Sequence, residues 1–470
     1  MSRIHALADA AEAAPEATRA ARAELEAARA EARHAAPSDL MLVRVAVPSI
    51  APEALLEHFP EQEGVLWSPP NGPAFAGIGA AAAITGSGPS RFAEVRAGAE
   101  ALWARVRPRG PGAVAAARPR LFGGFAFAPG GAASDNWSGF GAARFVLPRI
   151  TYAAQDGAGW MTLAIERWEL ERGSGDALVA FERACEIATA CPAPAPGQAV
   201  QPASRCDGEP RAFERQVEEL VERIQRGELS KVVAAREVLL SFSSAIDPVA
   251  TVVGLREQAL ECVRFLFRFG DATFLGATPE RLLYKRGRLL ETEALAGSID
   301  AGADSPERRL QASAKDLEEH ALVVSAITSA LEPLCDAPRL PARPGVRSLK
   351  HLLHLCTPIQ AVLSRDAHVL ELIERLHPTP AVGGVPTAAA LACIERYESF
   401  DRGWYAGAIG WFDALDDAEF NVALRSGLVR SDRAWLYAGA GIVRESRAAL
   451  EYAETTLKLS AMLSALRARR

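Results

Sequence analysis

The stretch 405–443, YAGAIGWFDALDDAEFNVALRSGLVRSDRAWLYAGAGIV, decides the fold class. Three runs rich in apolar and aromatic residues, Tyr405–Phe412, Phe420–Val429 and Trp435–Val443, are separated by short Asp-, Arg- and Ser-containing breaks, so each reads as a strand. Ser446 follows as the cap of a final helix. Glu451, Glu454 and Lys458 fall on one face of that helix, at spacings of three and four residues. Upstream, Ser305-Pro306 opens a long helix, Ser as cap and Pro as first residue. Its apolar stripe runs through Leu310, Ala314, Leu317, Ala321, Val324, Ile327 and Leu331. Before it come strand candidates at Lys231–Leu240, Phe274–Ala277, Arg281–Tyr284 and Leu289–Ala294, the last two joined by a turn near Arg286-Gly287. A helix with Phe213, Val217, Leu220, Val221 and Ile224 on one face, stopped by Gly227, precedes these. Strand-rich segments alternating with a few long helices predict an α+β fold.

The first half is less punctuated. Leu42–Pro48, Leu121–Phe127 and Phe145–Ile150 read as strands, and the five Pro between 190 and 210 read as a linker. Residues 6–35 are Ala, Glu and Arg almost throughout, with opposite charges at helical spacing in Glu16…Arg19 and Glu26…Arg29. This is expected to be a partly solvated helical extension. The division is 1–38 extension, 39–200 scaffold half and 208–466 catalytic half, the last two forming one integrated unit.

Bulk composition excludes several classes. The chain has 470 residues, 49% hydrophobic and 23% charged, and a net charge of −6, which offers no field for nucleic acid or an anionic membrane. An anionic substrate needs a local basic site instead. The seven Cys are odd in number and form no Cys-x-x-Cys pair, which argues against a disulfide framework and for a reducing compartment. Asp9 and Glu12 interrupt any signal-peptide core, and no apolar run reaches membrane-spanning length. A cytoplasmic protein is expected.

Several ionisable residues stand in distinctive phrases. Lys231 opens an otherwise apolar strand: it either reaches solvent at the strand end or points into a cavity, where burial favours the neutral amine of a base. Glu280 follows Pro279 at a bend between strands. It is either a turn carboxylate paired with Arg281 or a buried carboxyl that keeps its proton and serves as a general acid. Glu319 shares a second helix row with Leu322, Val323, Ala326 and Ala330, and a carboxylate there needs a cation or a metal. Glu454 and Lys458 form either an exposed pair or a metal ligand beside a substrate-binding Lys. Two carboxylates plus waters suit Mg²⁺. Arg425, after Ala423-Leu424, is placed to grip a carboxylate bidentately. The Gly-Ala strand 437–443 allows backbone amides to approach an anion.

Together, Ser-Lys231-Val-Val-Ala-Ala-Arg, Ala-Thr-Pro-Glu280-Arg-Leu, Leu-Glu-Glu319-His-Ala-Leu-Val, His354-Leu-Cys-Thr-Pro, Ala-Leu-Arg425-Ser and Glu-Tyr-Ala-Glu454-Thr resemble the chorismate-utilising enzyme family, most closely its isochorismate synthases. The resemblance is strong over residues 208–465 and weaker over 40–200. It implies two antiparallel sheets packed face to face and surrounded by helices. It implies that Lys231 activates water and that Glu280 protonates the departing hydroxyl. Glu319 and Glu454, with Glu451 as a further candidate, would hold Mg²⁺ against the ring carboxylate of chorismate. Gly297, His354, Ala381, Val382, Tyr405, Arg425, Gly441 and Lys458 would bind the substrate. The implied reaction is conversion of chorismate to isochorismate, as a monomer or weak dimer with no glutaminase subunit.

Three places separate subfamilies. Ala296 stands where similar aminodeoxychorismate synthases carry a nucleophilic Lys, which disfavours that reaction. Ala381, in Pro378-Thr379-Pro380-Ala381-Val382-Gly383-Gly384, stands near where salicylate and anthranilate synthases tend to have Thr, which favours stopping at isochorismate. Leu55-Leu56-Glu57-His58 matches the aminating relatives' Leu-Leu-Glu-Ser only in part. Salicylate synthase is the alternative, followed by an anthranilate-type synthase and an inert chorismate-binding protein; retention of Lys231, Glu280 and both carboxylates argues against the last. The phrases Phe122-Gly123-Gly124-Phe125 and Trp137-Ser138-Gly139-Phe140 lean toward menaquinone biosynthesis over siderophore or salicylate biosynthesis.

Overall fold

The quoted stretch folds as four strands, not three: Ala408–Asp413, Ala418–Val422, Ser426–Arg430 and Arg433–Ile442. The expected single strand Phe420–Val429 breaks at Arg425, whose φ of 50° lies in the left-handed region and turns the chain from one sheet to the next. The computed structural model describes residues 2–32, 35–107, 114–173, 175–190, 194 and 197–468, with side chains from residue 17 onward except that of residue 210. Cys191, the side chain of Glu16 and much of the Pro-rich linker lie outside the described residues.

The strands form two layers joined by shared elements. In the first layer, Leu40–Pro48 pairs with Ala158–Glu166, which leads through Ala143–Gln155 and Ala74–Gly86 to Gly64–Ser68. Gly64–Ser68 then pairs across the halves of the chain with Val263–Phe269, followed by Ala272–Thr278, Ser426–Arg430, Arg433–Ile442 and Lys231–Ser241. The second layer leaves Ala143–Gln155 through Arg120–Phe125 and continues to Ala408–Asp413, Ala418–Val422, Arg281–Arg286, Leu289–Asp300, Leu352–Val362 and Gly345–Ser348. These pairings are all antiparallel, and two of them cross between the halves, so neither half closes a sheet alone.

Two-residue periodicity sets the packing. Phe265, Phe267 and Phe269 point into the core between the layers, with Phe122, Trp411 and Phe420 of the other layer, whereas Leu266 points to the outer face. Rings meet across the gap: Phe75 lies 5.5 Å from Phe122, and Phe267 lies 5.6 Å from Trp404. The outer face of the first layer is covered by Phe181 and Cys185 of helix Asp176–Ala190, Val252 of Pro248–Gly254, and Leu459 and Met462 of Ala448–Ala465. Leu25 and Ala28 of helix Ser2–Glu31 are buried in the same cluster, and Arg22 meets both carboxylate oxygens of Glu182 at 3.0 Å. The N-terminal helix is therefore docked over its described side chains.

Three local expectations are corrected. The long helix after Ser305 is two helices, Pro306–Ala312 and Ala314–Leu331. Ser305 makes no side-chain cap, whereas Ser313, between them, accepts from the Asp316 amide. The inward face of the second helix is Glu319, His320, Val323, Ile327 and Leu331, and Ala314 and Ala321 are exposed. Ser446 does not cap the last helix, which begins after Arg447; its hydroxyl accepts from the Val443 amide at 3.1 Å.

Candidate active site

Lys231 starts the strand Lys231–Ser241, and strand alternation puts it on the same face as Val233. Directly opposite Val233 lies Gly441 of the neighbouring strand, with Gly439 two residues earlier on that face. The glycines leave room above the sheet. A Cβ on Gly441 would stand 2.5 Å from Glu319 Oε1 and 3.1 Å from Lys231 Cε. Into that room helix Ala314–Leu331 lowers Glu319, whose Oε1 lies 2.8 Å from Lys231 Nζ. The ammonium is fully buried and its approach falls outside hydrogen-bond geometry, so the contact is an ion pair without a directed hydrogen bond. Glu319 closes one side of a cavity of about 730 Å³, also lined by Val233, Glu280, Gly297, Ser298, His354, Ala381, Arg425, Gly439, Gly441, Glu451, Glu454 and Lys458.

The last helix supplies one wall. Glu454 Oε1 lies 2.6 Å from Lys458 Nζ and accepts from the Ser298 hydroxyl at 2.9 Å. Burial opposes the charge of Glu454, but Lys458, the Ser298 hydroxyl and Lys315 outweigh it and hold the carboxyl down at about 2. Lys458 also donates to the Gly439 carbonyl at 2.8 Å, which ties the helix to the glycine strand. One turn earlier, Glu451 pairs with Lys315 at 3.0 Å; burial and the nearby Glu454 charge push its carboxyl up.

Glu280 sits in the break between Ala272–Thr278 and Arg281–Arg286. Its amide donates to Thr278 Oγ1 at 3.3 Å, and its carbonyl accepts from the Val422 amide at 3.0 Å. Burial, reinforced by the Glu293 charge, raises its carboxyl to about 8 against the pull of Lys231, Arg425 and Lys458. Near neutral pH this is a protonated acid inside a cavity. His354, on Leu352–Val362, is held near 3 by burial and by Arg425 and Lys458, so its ring is neutral. Nε2 accepts from Arg425 Nη2 at 3.4 Å, and the ring also bonds the Gly297 backbone. Gly297 has φ of 76° at the register shift between Ala296 and Ser298, and a Cβ there would press on Asp316 at 3.0 Å. Arg425 makes no ion pair among the described residues. It lies on the partition between the main cavity and a neighbouring chamber of about 440 Å³.

The family model for chorismate binding enzymes matches residues 24–467. The chain belongs to the chorismate binding enzyme family. The salicylate biosynthesis isochorismate synthase of Pseudomonas aeruginosa is 39% identical over 84% of this chain and 83% of its own length. The isochorismate synthase MenF of Bacillus subtilis is 35% identical over 74% of each chain. Among solved structures, MenF, the menaquinone-specific isochorismate synthase from Escherichia coli, superposes with a TM-score of 0.77 at 27% identity. That match covers 94% of this chain and 99% of the other. The packed antiparallel sheets expected from the sequence are those of this family.

Within this chorismate binding enzyme, the cavity gathers Glu280, Gly297, Glu319, His354, Ala381, Arg425, Gly441, Glu451, Glu454 and Lys458. Lys231 lies directly behind this wall, joined to it through Glu319. Val382 is set back from it, whereas the Tyr405 hydroxyl reaches the cavity-lining Gly439, 3.1 Å from where a Cβ there would stand. Val382 is buried and gives its carbonyl to Arg402 Nη1 at 3.0 Å, and Tyr405 stacks on Tyr437 at 5.2 Å. Sequence reasoning missed Lys315, Asp316 and Ser298, although Lys315 and Asp316 stand one helical turn before Glu319 and Ser298 adjoins Gly297. It also missed His320, whose ring bridges Thr357 Oγ1 at 2.7 Å and the Ala296 carbonyl at 3.2 Å.

The cavity's chemistry fits a hard cation. Its acidic lining is Glu280, Asp300, Asp316, Glu319, Glu451 and Glu454. With Glu280 protonated, five carboxylates face four cations, namely Lys231, Lys315, Arg425 and Lys458. An anionic substrate entering that field needs another positive charge. Among the described residues no three His, Cys, Asp or Glu side chains are grouped to hold a metal by themselves. A cation there would complete its shell with substrate and water oxygens, as Mg²⁺ does.

Proposed function

We propose that the chain is an isochorismate synthase that converts chorismate to isochorismate with Mg²⁺. The observation that carries this reading is a single cavity that joins three features. It has a buried acid raised to about 8 at Glu280, a buried Lys231 behind its wall, and an Arg425 guanidinium that lacks a carboxylate partner among the described residues. Two relatives named as isochorismate synthases match most of the chain.

In the proposed reaction, Lys231, an ammonium paired with Glu319 at rest, acts after losing that proton: its neutral amine takes a proton from water as the water oxygen bonds to C2 of chorismate. The ring double bonds shift, and the C4 hydroxyl leaves as water with the proton of Glu280. One water enters and one leaves, so the net change is an isomerisation. Arg425 and Lys458 orient the substrate carboxylates, with His354 beside Arg425 in neutral form; orientation at this level accounts for a large part of such a barrier. Glu319 and Glu454, with Glu451 nearby, would hold Mg²⁺, which supplies a positive charge against the ring carboxylate.

Ala381 lines the cavity with a methyl group and offers no hydroxyl there, in keeping with a reaction that stops at isochorismate. The Phe122-Gly123-Gly124-Phe125 and Trp137-Ser138-Gly139-Phe140 phrases stand outside the cavity lining. Phe122, Phe125, Trp137 and Phe140 are buried packing residues, and Gly123 and Gly124 sit against neighbouring backbone and side chains. We infer a cytoplasmic enzyme that acts without a glutaminase subunit. Among the described residues no helix is long and apolar enough to cross a membrane.

The test is product analysis of purified protein with chorismate and Mg²⁺, separating isochorismate, salicylate and pyruvate. Isochorismate without pyruvate is expected. Pyruvate with salicylate would make the enzyme a salicylate synthase, and turnover only with ammonia or a glutaminase would move it to the aminating branch.

A further inference from the structure

Glu280 is flanked by two peptide groups that a single ion pair controls. Glu293, buried on the strand Leu289–Asp300, accepts from the Arg281 amide through Oε1 at 3.1 Å. The same carboxylate is gripped from both sides by Arg347, Nη1 to Oε1 at 2.5 Å and Nη2 to Oε2 at 2.7 Å. Arg347 Nη1 also donates to the Pro279 carbonyl at 2.9 Å. The peptide groups before and after Glu280 are therefore tied to one bidentate pair, while Glu280's own amide and carbonyl are held by Thr278 and Val422. Neither Glu293 nor Arg347 lines the cavity.

We propose that Glu293 and Arg347 form a positioning clamp for Glu280, aiming its carboxyl into the cavity and setting the local charge against which it holds its proton. The proposal rests on the reading of Glu280 as the general acid. A bidentate Arg–carboxylate pair is directional as well as strong. Glu293 is its buried member, so removal of Arg347 leaves the Glu293 charge buried and uncompensated, whereas Arg347 is half-buried. The groups that act electrostatically on Glu280 come from several elements: Lys231, Glu293, Cys356, Tyr405, Arg425 and Lys458. Of these, Glu293 is the carboxylate, and the one whose charge pushes the Glu280 carboxyl up.

The two members of the clamp therefore have opposite signatures. Glu293→Gln keeps an acceptor for the Arg281 amide but removes the negative charge and leaves Arg347 unpaired, which favours ionised Glu280. Arg347→Gln leaves Glu293 negative and uncompensated, which favours protonated Glu280. The experiment records the pH profile of kcat/KM for wild type and both variants. In parallel, difference infrared titration follows the Glu280 carboxyl band, assigned by its loss in Glu280→Gln.

Glu293→Gln is expected to move the alkaline limb and the band titration down by about one pH unit, and Arg347→Gln to move both up by a similar amount. In both variants kcat should fall at least tenfold while KM changes little, since neither residue touches substrate. Band titrations that stay in place, or move in the same direction in both variants, overturn the clamp. If Glu280→Gln retains full turnover, the general-acid reading falls. The infrared arm then still decides whether Glu293 and Arg347 govern this carboxyl.

Discussion

Gly441→Ala is the sharpest perturbation the site offers, because it adds one methyl group to an ordinary strand position. Gly441 lies in the strand Arg433–Ile442 opposite Val233, a backbone conformation that alanine adopts freely. The new Cβ would stand 2.5 Å from Glu319 Oε1, 3.3 Å from Glu319 Cδ and 3.1 Å from Lys231 Cε. A relaxed carbon–oxygen contact needs about 3.3 Å, so the carboxylate must retreat by roughly 0.8 Å. What gives way is the end of a flexible side chain, so the sheet should survive, with stability within about 1 kcal/mol of wild type. Displacement by that distance at a reacting centre costs about 100-fold in rate, or about 2.7 kcal/mol in the barrier. The assay is chorismate turnover by product chromatography across a Mg²⁺ titration, beside a thermal melt. Adding Glu319→Asp, which shortens the carboxylate arm, should recover part of the loss. A Gly441→Ala enzyme with wild-type kcat and unchanged Mg²⁺ demand would refute the placement of Glu319 over this glycine as functional.

Lys231→Met should abolish isochorismate formation while chorismate still binds by calorimetry; undiminished turnover would remove Lys231 as the base. Glu454→Ala should erase the Mg²⁺ dependence of the rate, and a variant still fully stimulated by Mg²⁺ would sink that assignment. Ala381→Thr should introduce pyruvate release, detected by a coupled lactate dehydrogenase assay; a product mixture identical to the parent would show that position 381 does not decide the outcome. His354 binds its proton at about 3 in the folded state against 6.5 ordinarily, so the folded state resists protonation that the unfolded state accepts. Its contribution to stability is present above about 6.5 and declines as pH falls from there toward about 3, by up to about 1.4 kcal/mol per unit. Denaturant melts of wild type and His354→Gln across that range test this, and parallel curves would count against it.

The sheets were legible because their strands alternate or run apolar with little ambiguity. Arg433–Ile442, Lys231–Ser241 and Ala272–Thr278 stand within three residues of the expected ends. The break at Arg425 was not legible, since strand propensity continues through Phe420–Val429 and nothing local marks a residue with φ of 50°. The main stripe of the helix that carries Glu319 differs for a related reason. Periodicity draws it through Ala314 and Ala321, which are exposed, and leaves Glu319 on a second row, where the cation it needs is Lys231. The helix is turned inward at Glu319 because Lys231, on a distant strand, supplies the charge that makes burial tolerable. The Glu293–Arg347 pair was invisible for the same cause: its partners are 54 residues apart and meet across the strand Leu352–Val362. Val382 belongs to a phrase that borders the cavity, and a phrase does not say which of its side chains turns toward the wall.

Buried charge is where this fold departs from what packing alone would choose. A buried ion pair of good geometry roughly offsets its own desolvation, and an apolar pair of equal size would serve stability as well or better. The buried pair Lys231–Glu319, and the partly buried pairs Glu454–Lys458, Glu451–Lys315 and Glu293–Arg347, are therefore poorly explained as structural supports of two sheets whose aromatic core is already dense. They are explained if each carboxylate or cation has a second partner to meet. Arg425 makes the case most directly. Burial disfavours its charge, it has a neutral imidazole where an anion would compensate it, and its left-handed backbone turns it to the cavity wall. A protein keeps such a residue at a cost in stability when the missing counterion arrives with the substrate, and a carboxylate is the anion whose planar geometry a guanidinium matches.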